Sequence, residues 1–455
     1  MLRLTKPLMN LWDRFLFRDR GIIPTKRLLF IVLVYSVVLI IGTLFAISWT
    51  FVIIFNIIIL FVTLFDLFFS AKKKQISFNR KIVEEMERGI SYMVEIKIKN
   101  NSSHSLKFRF VDGIPQSFRN HFPIYGKVSG NEKERVIYET TALIRGQYEL
   151  EKLYFRYTSV FGLWEKQITA ALPYSVKVIP DLTETKQYLE NAQQFLKYEG
   201  FKIRKHRSGV SEFAKIRSYV VGDDPRKINW RQTAKLHEVM SNEFEPEHGK
   251  IITILLDCGR MMGAELTKGN RLEKVLEAAL TVCAAALQKG DSVSVLAFSK
   301  DVKVFVPARK GMGHLKTILH AIYDVKVDSV EPNYAQVLQY LETVQKKRSL
   351  ILLFSDIRTF LYEESVLYYL QRLRQRHLFL MIGIEDEMLL ITIKEEPVNP
   401  QVAMKKSIAQ QEILFIKREK MRWEKQGLQM IEAKEEQLTV TAVSHYFRMI
   451  NRGLI

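Results

Sequence analysis

The pattern of apolar and polar positions changes character along the chain, and each pattern predicts a different kind of element. From Leu28 to Ile47 twenty residues run without a charge, and residues 50–69 continue in the same vein until Asp66. Each run is close to the ~20 residues that carry a helix across the hydrocarbon core of a bilayer. Only Ser48 and Trp49 separate them, so the pair predicts a transmembrane helical hairpin, 28–47 and 50–69. From about residue 75 to 180 apolar and polar residues alternate in short segments. Tyr92, Val94, Ile96 and Ile98 face one way and Met93, Glu95, Lys97 and Lys99 the other, the period of a half-buried strand. Leu106–Asp112, Glu134–Ala142, Gly146–Arg156 and Ser175–Ile179 read the same way, with turn residues between them. That spacing predicts a small antiparallel β-sandwich over 75–180.

A third pattern occupies residues 246–455. Ile251–Leu256 is a continuous run of apolar and β-branched residues that ends at Asp257, and Ser349–Phe354 repeats it ahead of Ser355 and Asp356. Unbroken runs of this kind suit strands covered on both faces. Helical periodicity at Leu272–Lys289, His314–Tyr323, Tyr334–Val344, Glu363–Gln375, Val402–Glu424 and Leu438–Ile450 alternates with strands at 291–298, 301–306, 377–384 and 428–432. Such alternation predicts an α/β doubly wound parallel sheet. In a sheet of order 3-2-1-4-5-6 the first and fourth strands are neighbours, and ligands bind at the carboxyl ends of the strands. Asp257 and Asp356 are therefore expected at one rim.

Residues 181–245 read as a connector, with a basic run at 202–207 and the stretch GDDPRKINW at 222–230. Gly222–Pro225 is a turn expected to start a helix, with Asp224 as N-cap and Pro225 in the first helical position. Trp230 is expected to be a buried anchor of that helix. Asp223, Asp224, Arg226, Arg231 and Lys235 are expected to form an ion-pair web. Without His, Cys or Ser at a telling spacing, the stretch reads as structure or partner docking rather than catalysis. Its docking candidates are Gly222, Asp223, Asp224, Arg226, Asn229, Trp230 and Arg231.

Charge and composition narrow the partners. A net charge of +19 suits nucleic acid or the anionic inner face of a membrane. The hairpin favours the membrane, and no aromatic-interleaved basic strand of a nucleic-acid reader is present. Arg3, Lys6, Arg14, Arg18, Arg20, Lys26 and Arg27 precede the first span, and Lys72–Lys74 follow the second. Positive residues on both outer flanks place the basic segment 1–27 and the long C-terminal remainder in the cytoplasm, with the hairpin in the plasma membrane. A hydrophobic fraction of 47% excludes a disordered chain. Two cysteines, Cys258 and Cys283, are too few for a disulfide framework or a structural zinc site. Phosphate-loop, zincin and nucleophile-elbow motifs are absent from the sequence. Cys258, beside Arg260, is the one candidate reactive thiol.

An aspartate ending the first strand and another ending the fourth resembles the von Willebrand factor A domain. With GDDPRKINW, RGQY (145–148), FGLW (161–164) and the hairpin ahead, nearly the whole chain resembles the bacterial domain-of-unknown-function 58 family. The resemblance implies a membrane-tethered protein with a cytoplasmic A-type domain, often associated with a MoxR-type AAA+ ATPase. It implies no defined activity. A domains hold Mg²⁺ through a D-x-S-x-S loop, a threonine and a second aspartate, an oxygen set that suits a hard cation. Here the loop is Asp257-Cys258-Gly259-Arg260-Met261, so Asp257, Gly259, Met261 and Asp356 form a degenerate metal site with a cationic side chain inside it. No cofactor is expected, Mg²⁺ being the one candidate, and serines at 259 and 261 are expected to raise its affinity. Asp257 is expected instead to cap a turn or to pair with Arg260 or Arg358. The leading function is a membrane-anchored, non-enzymatic interaction protein whose sheet rim meets a protein partner, the AAA+ ATPase being the candidate. The alternatives are a metal-dependent hydrolase using Asp257 and Asp356, and a basic surface that binds nucleic acid or anionic lipid.

Overall fold

The structure, a computed structural model, describes residues 21–44, 48–199, 211–220, 223–246, 249–267, 269–363 and 365–451. Arg3, Lys6, Arg14, Arg18, Arg20, the basic run 202–207 and Gly222 lie outside the described residues. The chain divides into two compact units, Met1–Ile179 and Pro180–Ile455.

The first unit opens with helices Lys26–Leu44 and Trp49–Phe69, whose apolar side chains are largely exposed. By length and composition the stretch Trp49–Gln75 is long and apolar enough to cross a membrane. Behind the helices two sheets pack face to face. One runs in the order Ile22–Pro24, Trp164–Ile179, Gly146–Thr158, Leu106–Asp112, Ile124–Val128, with Glu85–Glu87 pairing in parallel to Trp164–Ile179. The other runs Ile76–Lys81, Ser91–Asn100, Lys133–Ala142, Phe118–Arg119. Val94, Ile96 and Ile98 on one inner face meet Phe108, Phe110, Phe155 and Tyr157 on the other. The last strand is three times longer than the Ser175–Ile179 expected from alternation. Pro173 had masked it: the proline sits in the register shift between Ala171 and Tyr174, where its missing N–H breaks no ladder bond.

Two buried polar constellations in this unit escaped the sequence reading, which placed no titratable cluster in the sandwich. The Arg80 guanidinium pairs with Asp112 and donates to the carbonyls of Leu150 (3.1 Å) and Leu172 (2.8 Å), while the Tyr138 hydroxyl donates to Asp112 (2.6 Å). Burial and the Asp112 carboxylate hold the Tyr138 phenol far above its usual range. Asp66, near the end of the second helix, is fully buried. It accepts from Ser159 Oγ (2.5 Å) and from the backbone N–H of Phe161 (2.8 Å) and Leu163 (3.2 Å), and Trp164 Nε1 donates to Thr63 O (2.9 Å). FGLW is thus a latch between the sandwich and the foot of that helix. Gly162 turns it at φ +72°, a conformation that only glycine adopts at no steric cost. In RGQY, the Tyr148 hydroxyl closes its own turn on Ile144 O (2.9 Å).

The second unit is built on one sheet with helices on its faces. In chain order its elements are β1 (Ile251–Asp257), α1 (Arg271–Lys289), β2 (Ser292–Phe298), β3 (Val302–Arg309), α2 (Gly313–Ile322) and α3 (Tyr334–Val344). They continue as β4 (Ser349–Phe354), α4 (Ile357–Leu361), α5 (Ser365–Arg374), β5 (Leu378–Ile384), α6 (Glu387–Lys394), α7 (Pro400–Lys425), β6 (Gln429–Ala433) and α8 (Leu438–Asn451). The strand order is β3-β2-β1-β4-β5-β6. The strictly parallel sheet expected from alternation is corrected at one edge. β3 follows β2 after only Ser299–Asp301 and pairs antiparallel, because three residues are too few for the crossover a parallel neighbour needs. The helix expected at 363–375 is α5, and the short α4 ahead of it, which Asp356 caps, went unread. Helix α6 went unread because its run MLLITI carries no clear helical period. The expected connector is partly structure of this unit: helix Thr183–Glu199 packs on α1, with Thr185 Oγ1 bonded to Thr281 Oγ1 at 2.9 Å.

Candidate functional site

β1 pairs in parallel with β2 on one side and β4 on the other, so Asp257 and Asp356 come to the same carboxyl rim. Both are buried there. Asp257 Oδ1 accepts from the backbone N–H of Gly259 (2.7 Å), and Oδ2 accepts from Ser355 Oγ (2.5 Å) and Tyr334 Oη (3.1 Å). Asn333 caps α3 by accepting from Gln336 N, which sets Tyr334 as the first residue of the helix. The tyrosine ring is wedged edge-on against Phe298 and Phe360. Burial pushes the Asp257 carboxyl up to about 6, with its three hydrogen bonds opposing the rise and Asp356 adding a smaller push.

Asp356 has a different set of partners. Oδ2 caps α4 by accepting from Thr359 N (3.0 Å) and Thr359 Oγ1 (2.8 Å), and Oδ1 is held by the guanidinium of Arg271. Arg271 is buried and also reaches Asp386 (3.6 Å), which Arg358 approaches from outside (3.8 Å). Arg271 begins α1, where the helix dipole disfavours a cation, so its two carboxylates account for its position. The expected pairing of Asp257 with Arg260 or Arg358 is corrected. Arg260 bonds Glu331 (2.6 Å), Arg358 faces Asp386, and Asp257 keeps the local turn.

The rim residues do not fit Mg²⁺. A small hard cation needs about six oxygen ligands, yet Asp257 is spent on three donors and Asp356 on a guanidinium. Gly259 offers no oxygen and Met261 a thioether. Serine at 259 would also need its surroundings to shift: a Cβ there would lie 2.7 Å from Pro332 Cδ and 3.1 Å from Asp257 Oδ1. Among the described residues no group of three or more His, Cys, Asp or Glu is arranged to hold a metal. Cys258 is buried, so solvent does not reach its thiol. Outside these contacts the rim opens as a cleft of about 480 Å³ lined by Arg260, Met261, Glu331, Pro332, Arg358, Thr359, Tyr362 and Glu363.

The GDDPRKINW stretch is placed elsewhere, on the two-stranded hairpin Ser211–Ser218 and Met240–Pro246. Two short turns replace the one expected helix. Asp224 caps a 3₁₀ turn at Pro225–Lys227, accepting from Arg226 N (3.1 Å). Asn229 then caps a separate helix, Trp230–Leu236, accepting from Gln232 N (3.1 Å) and donating to Asn242 Oδ1 (2.9 Å). Of the expected ion-pair web the described residues show Asp223 paired instead with Arg217 (2.8 Å), which holds the Asp223 carboxyl below its usual range. Arg226 and Arg231 are exposed. The buried Trp230 is a further correction: it is the first residue of the separate helix Trp230–Leu236 and is 69% exposed.

Comparison with known proteins matches the middle of the second unit. Residues 215–395 match the family model described as "Protein of unknown function DUF58". The matched span takes in Asp223–Arg231, Asp257 and Asp356 and stops before α7. The chain is 24% identical over 196 residues to the uncharacterized protein YeaD of Bacillus subtilis (strain 168), covering 43% of this chain and 46% of that one. It therefore spans about half the length of the curated relative it matches. Among solved structures, BatB of Bacteroides thetaiotaomicron, a conserved hypothetical protein, aligns with TM-score 0.30 and 12% identity over 45% of this chain and 100% of that one. The PapD-like domain 7 of human CEP192 aligns with TM-score 0.18 and 12% identity, over 23% and 85%.

Proposed function

We propose that the chain is a membrane-anchored, non-enzymatic interaction protein of the domain-of-unknown-function 58 family, with a cytoplasmic von Willebrand factor A-like unit that docks a protein partner. A MoxR-type AAA+ ATPase is the partner to test first. The observation that carries the docking reading is Trp230. A tryptophan standing in solvent on a short helix, with Arg226 and Arg231 exposed nearby in sequence and the backbone pinned by Asn229, matches the composition of interface hot spots. The rim adds support of the opposite kind, since Asp257 and Asp356 are spent on internal partners and leave no free carboxylate for hydrolysis. The exposed apolar helices of the first unit support the anchorage.

Two outcomes are expected. Trp230→Ala leaves the melting curve of the full-length protein nearly unchanged, within the ~0.5 kcal/mol usual for surface changes, but abolishes co-purification of the ATPase from membranes. Retained capture with a collapsed melt would make Trp230 a structural anchor and remove the docking surface. For topology, reporter fusions after Lys74 and at the C-terminus both report cytoplasm, and an external signal from either one refutes the orientation.

A further inference from the structure

We propose that helix α7 is a second membrane contact, an interfacial helix that lies on an anionic lipid surface; the inference rests on the membrane anchorage proposed above. The helix is 26 residues long. Ala409 and Trp423 are buried and Ile416 packs on the sheet core, so one stripe holds the helix to the domain. At ~100° per residue the opposite face carries Met404, Leu414 and Met421, with Ile408 on its flank. These four side chains are 67%, 67%, 50% and 63% exposed. Met388 and Ile391 of the neighbouring α6, which packs against α7, are exposed as well. A soluble surface does not leave this many large apolar side chains on adjoining helices without something to cover them.

Charge identifies what covers them. Seven basic residues (Lys405, Lys406, Lys417, Arg418, Lys420, Arg422 and Lys425) stand on α7 against three glutamates. Arg418, Arg422 and Lys425 fall on the outer face beside the apolar positions, and all three are exposed. Glu419 reaches back to Arg418 (3.7 Å) and Arg422 (3.2 Å), leaving the helix with a net positive charge. Glu395 and Glu396, in the loop before the helix, mark where the patch ends. An exposed face on which large apolar side chains alternate with Lys and Arg suits the headgroup region of an anionic leaflet, the apolar side chains entering the acyl boundary and the cations meeting lipid phosphates. An acidic protein surface would satisfy the cations but would not by itself call for a row of Met, Ile and Leu.

Both native cysteines are buried, so Met404→Cys introduces one accessible thiol for an environment-sensitive fluorophore. The full-length labelled chain is reconstituted into vesicles of phosphatidylcholine alone or mixed with phosphatidylglycerol, and Val440→Cys on α8, also exposed, serves as the reference position. The expected result is a blue-shifted emission and loss of iodide quenching at position 404 only when phosphatidylglycerol is present. The shift reverses with added salt, and the triple change Lys417→Glu, Arg418→Glu, Arg422→Glu abolishes it. Equal emission in both vesicles overturns the proposal, as does protection that arises only on adding a soluble protein fraction. Flotation of the chain with either vesicle reads the anchorage separately: a chain that floats with an unresponsive label refutes the α7 contact alone, and a chain that does not float refutes the anchorage on which it rests.

Discussion

Replacing Arg271 with methionine is expected to destabilise the C-terminal unit by about 3–5 kcal/mol, the range for removing one partner of a buried ion pair. Arg271 and Asp356 are both buried, and Arg271 also reaches Asp386. Methionine fills the space of the aliphatic stem but leaves the Asp356 carboxylate with only the Thr359 N–H and hydroxyl as donors. The double change Arg271→Met, Asp356→Asn removes both charges and keeps an oxygen for the α4 cap, so it is expected to recover most of the loss. Chemical denaturation of the parent, the two single variants and the double variant measures the coupling directly. If Arg271→Met and Asp356→Asn are additive, the pair is not the clamp that holds α1 to the rim. In the same melts, added Mg²⁺ is expected to leave the parent transition unmoved. A rise on adding Mg²⁺ that Asp257→Ala abolishes would mean that Arg271 yields its place to the metal.

Asp257→Asn is the second large effect, and here the expected change is a gain. Burial lifts the folded-state pKa of Asp257 to about 6 from the ordinary 3.8. A raised pKa means that the folded state binds the proton more tightly than the unfolded chain. The stability this contributes is present below the unfolded value and lost as pH rises through the folded one. At neutral pH the ionised carboxylate therefore costs the fold up to about 3 kcal/mol, from a shift of roughly two units. Asparagine keeps the acceptor for Gly259 N and can donate to the Ser355 and Tyr334 hydroxyls. Its advantage over the parent is expected to be about 2–3 kcal/mol at pH 7 and to vanish near pH 4. His377 titrates in the opposite sense: burial, with Arg376 adding to it, lowers its pKa, so the fold loses stability as pH falls below ~6.5. That loss is common to both proteins and cancels in their difference. Thermal melts of the pair from pH 4 to 8 test this, and a difference that stays flat across the range would mean that solvent reaches Asp257.

Run length and period determined the elements themselves. Ile251–Asp257, Ser349–Phe354 and Leu378–Ile384 are strands buried on both faces, and their unbroken apolar runs say so without a neighbour in view. The uncharged runs before Asp66 form helices over the described residues, and the alternation at Tyr92–Lys99 forms a strand, because each pattern matches one backbone geometry. The rim position of Asp257 and Asp356 followed from the same reasoning, since an aspartate that ends a strand of a parallel sheet lies at the sheet's carboxyl edge. Where local pattern competes with a special residue the reading failed. Pro173 hid the strand residues 164–174 behind a bulge, and Pro225 suggested one helix where Asn229 starts another. What only the tertiary structure decided is who partners whom. Asp112 meets Arg80 from 32 positions away, Asp66 meets the 159–163 loop across more than 90, and Arg271 reaches Asp356 across 85. No local period records such a separation. A buried charge needs a partner somewhere, but which segment supplies it is settled only when the sheets pack. The same holds for exposure: Trp230, a residue whose size favours burial, stands in solvent at the head of a seven-residue helix, next to Asn229, which accepts from Gln232 N and donates to Asn242.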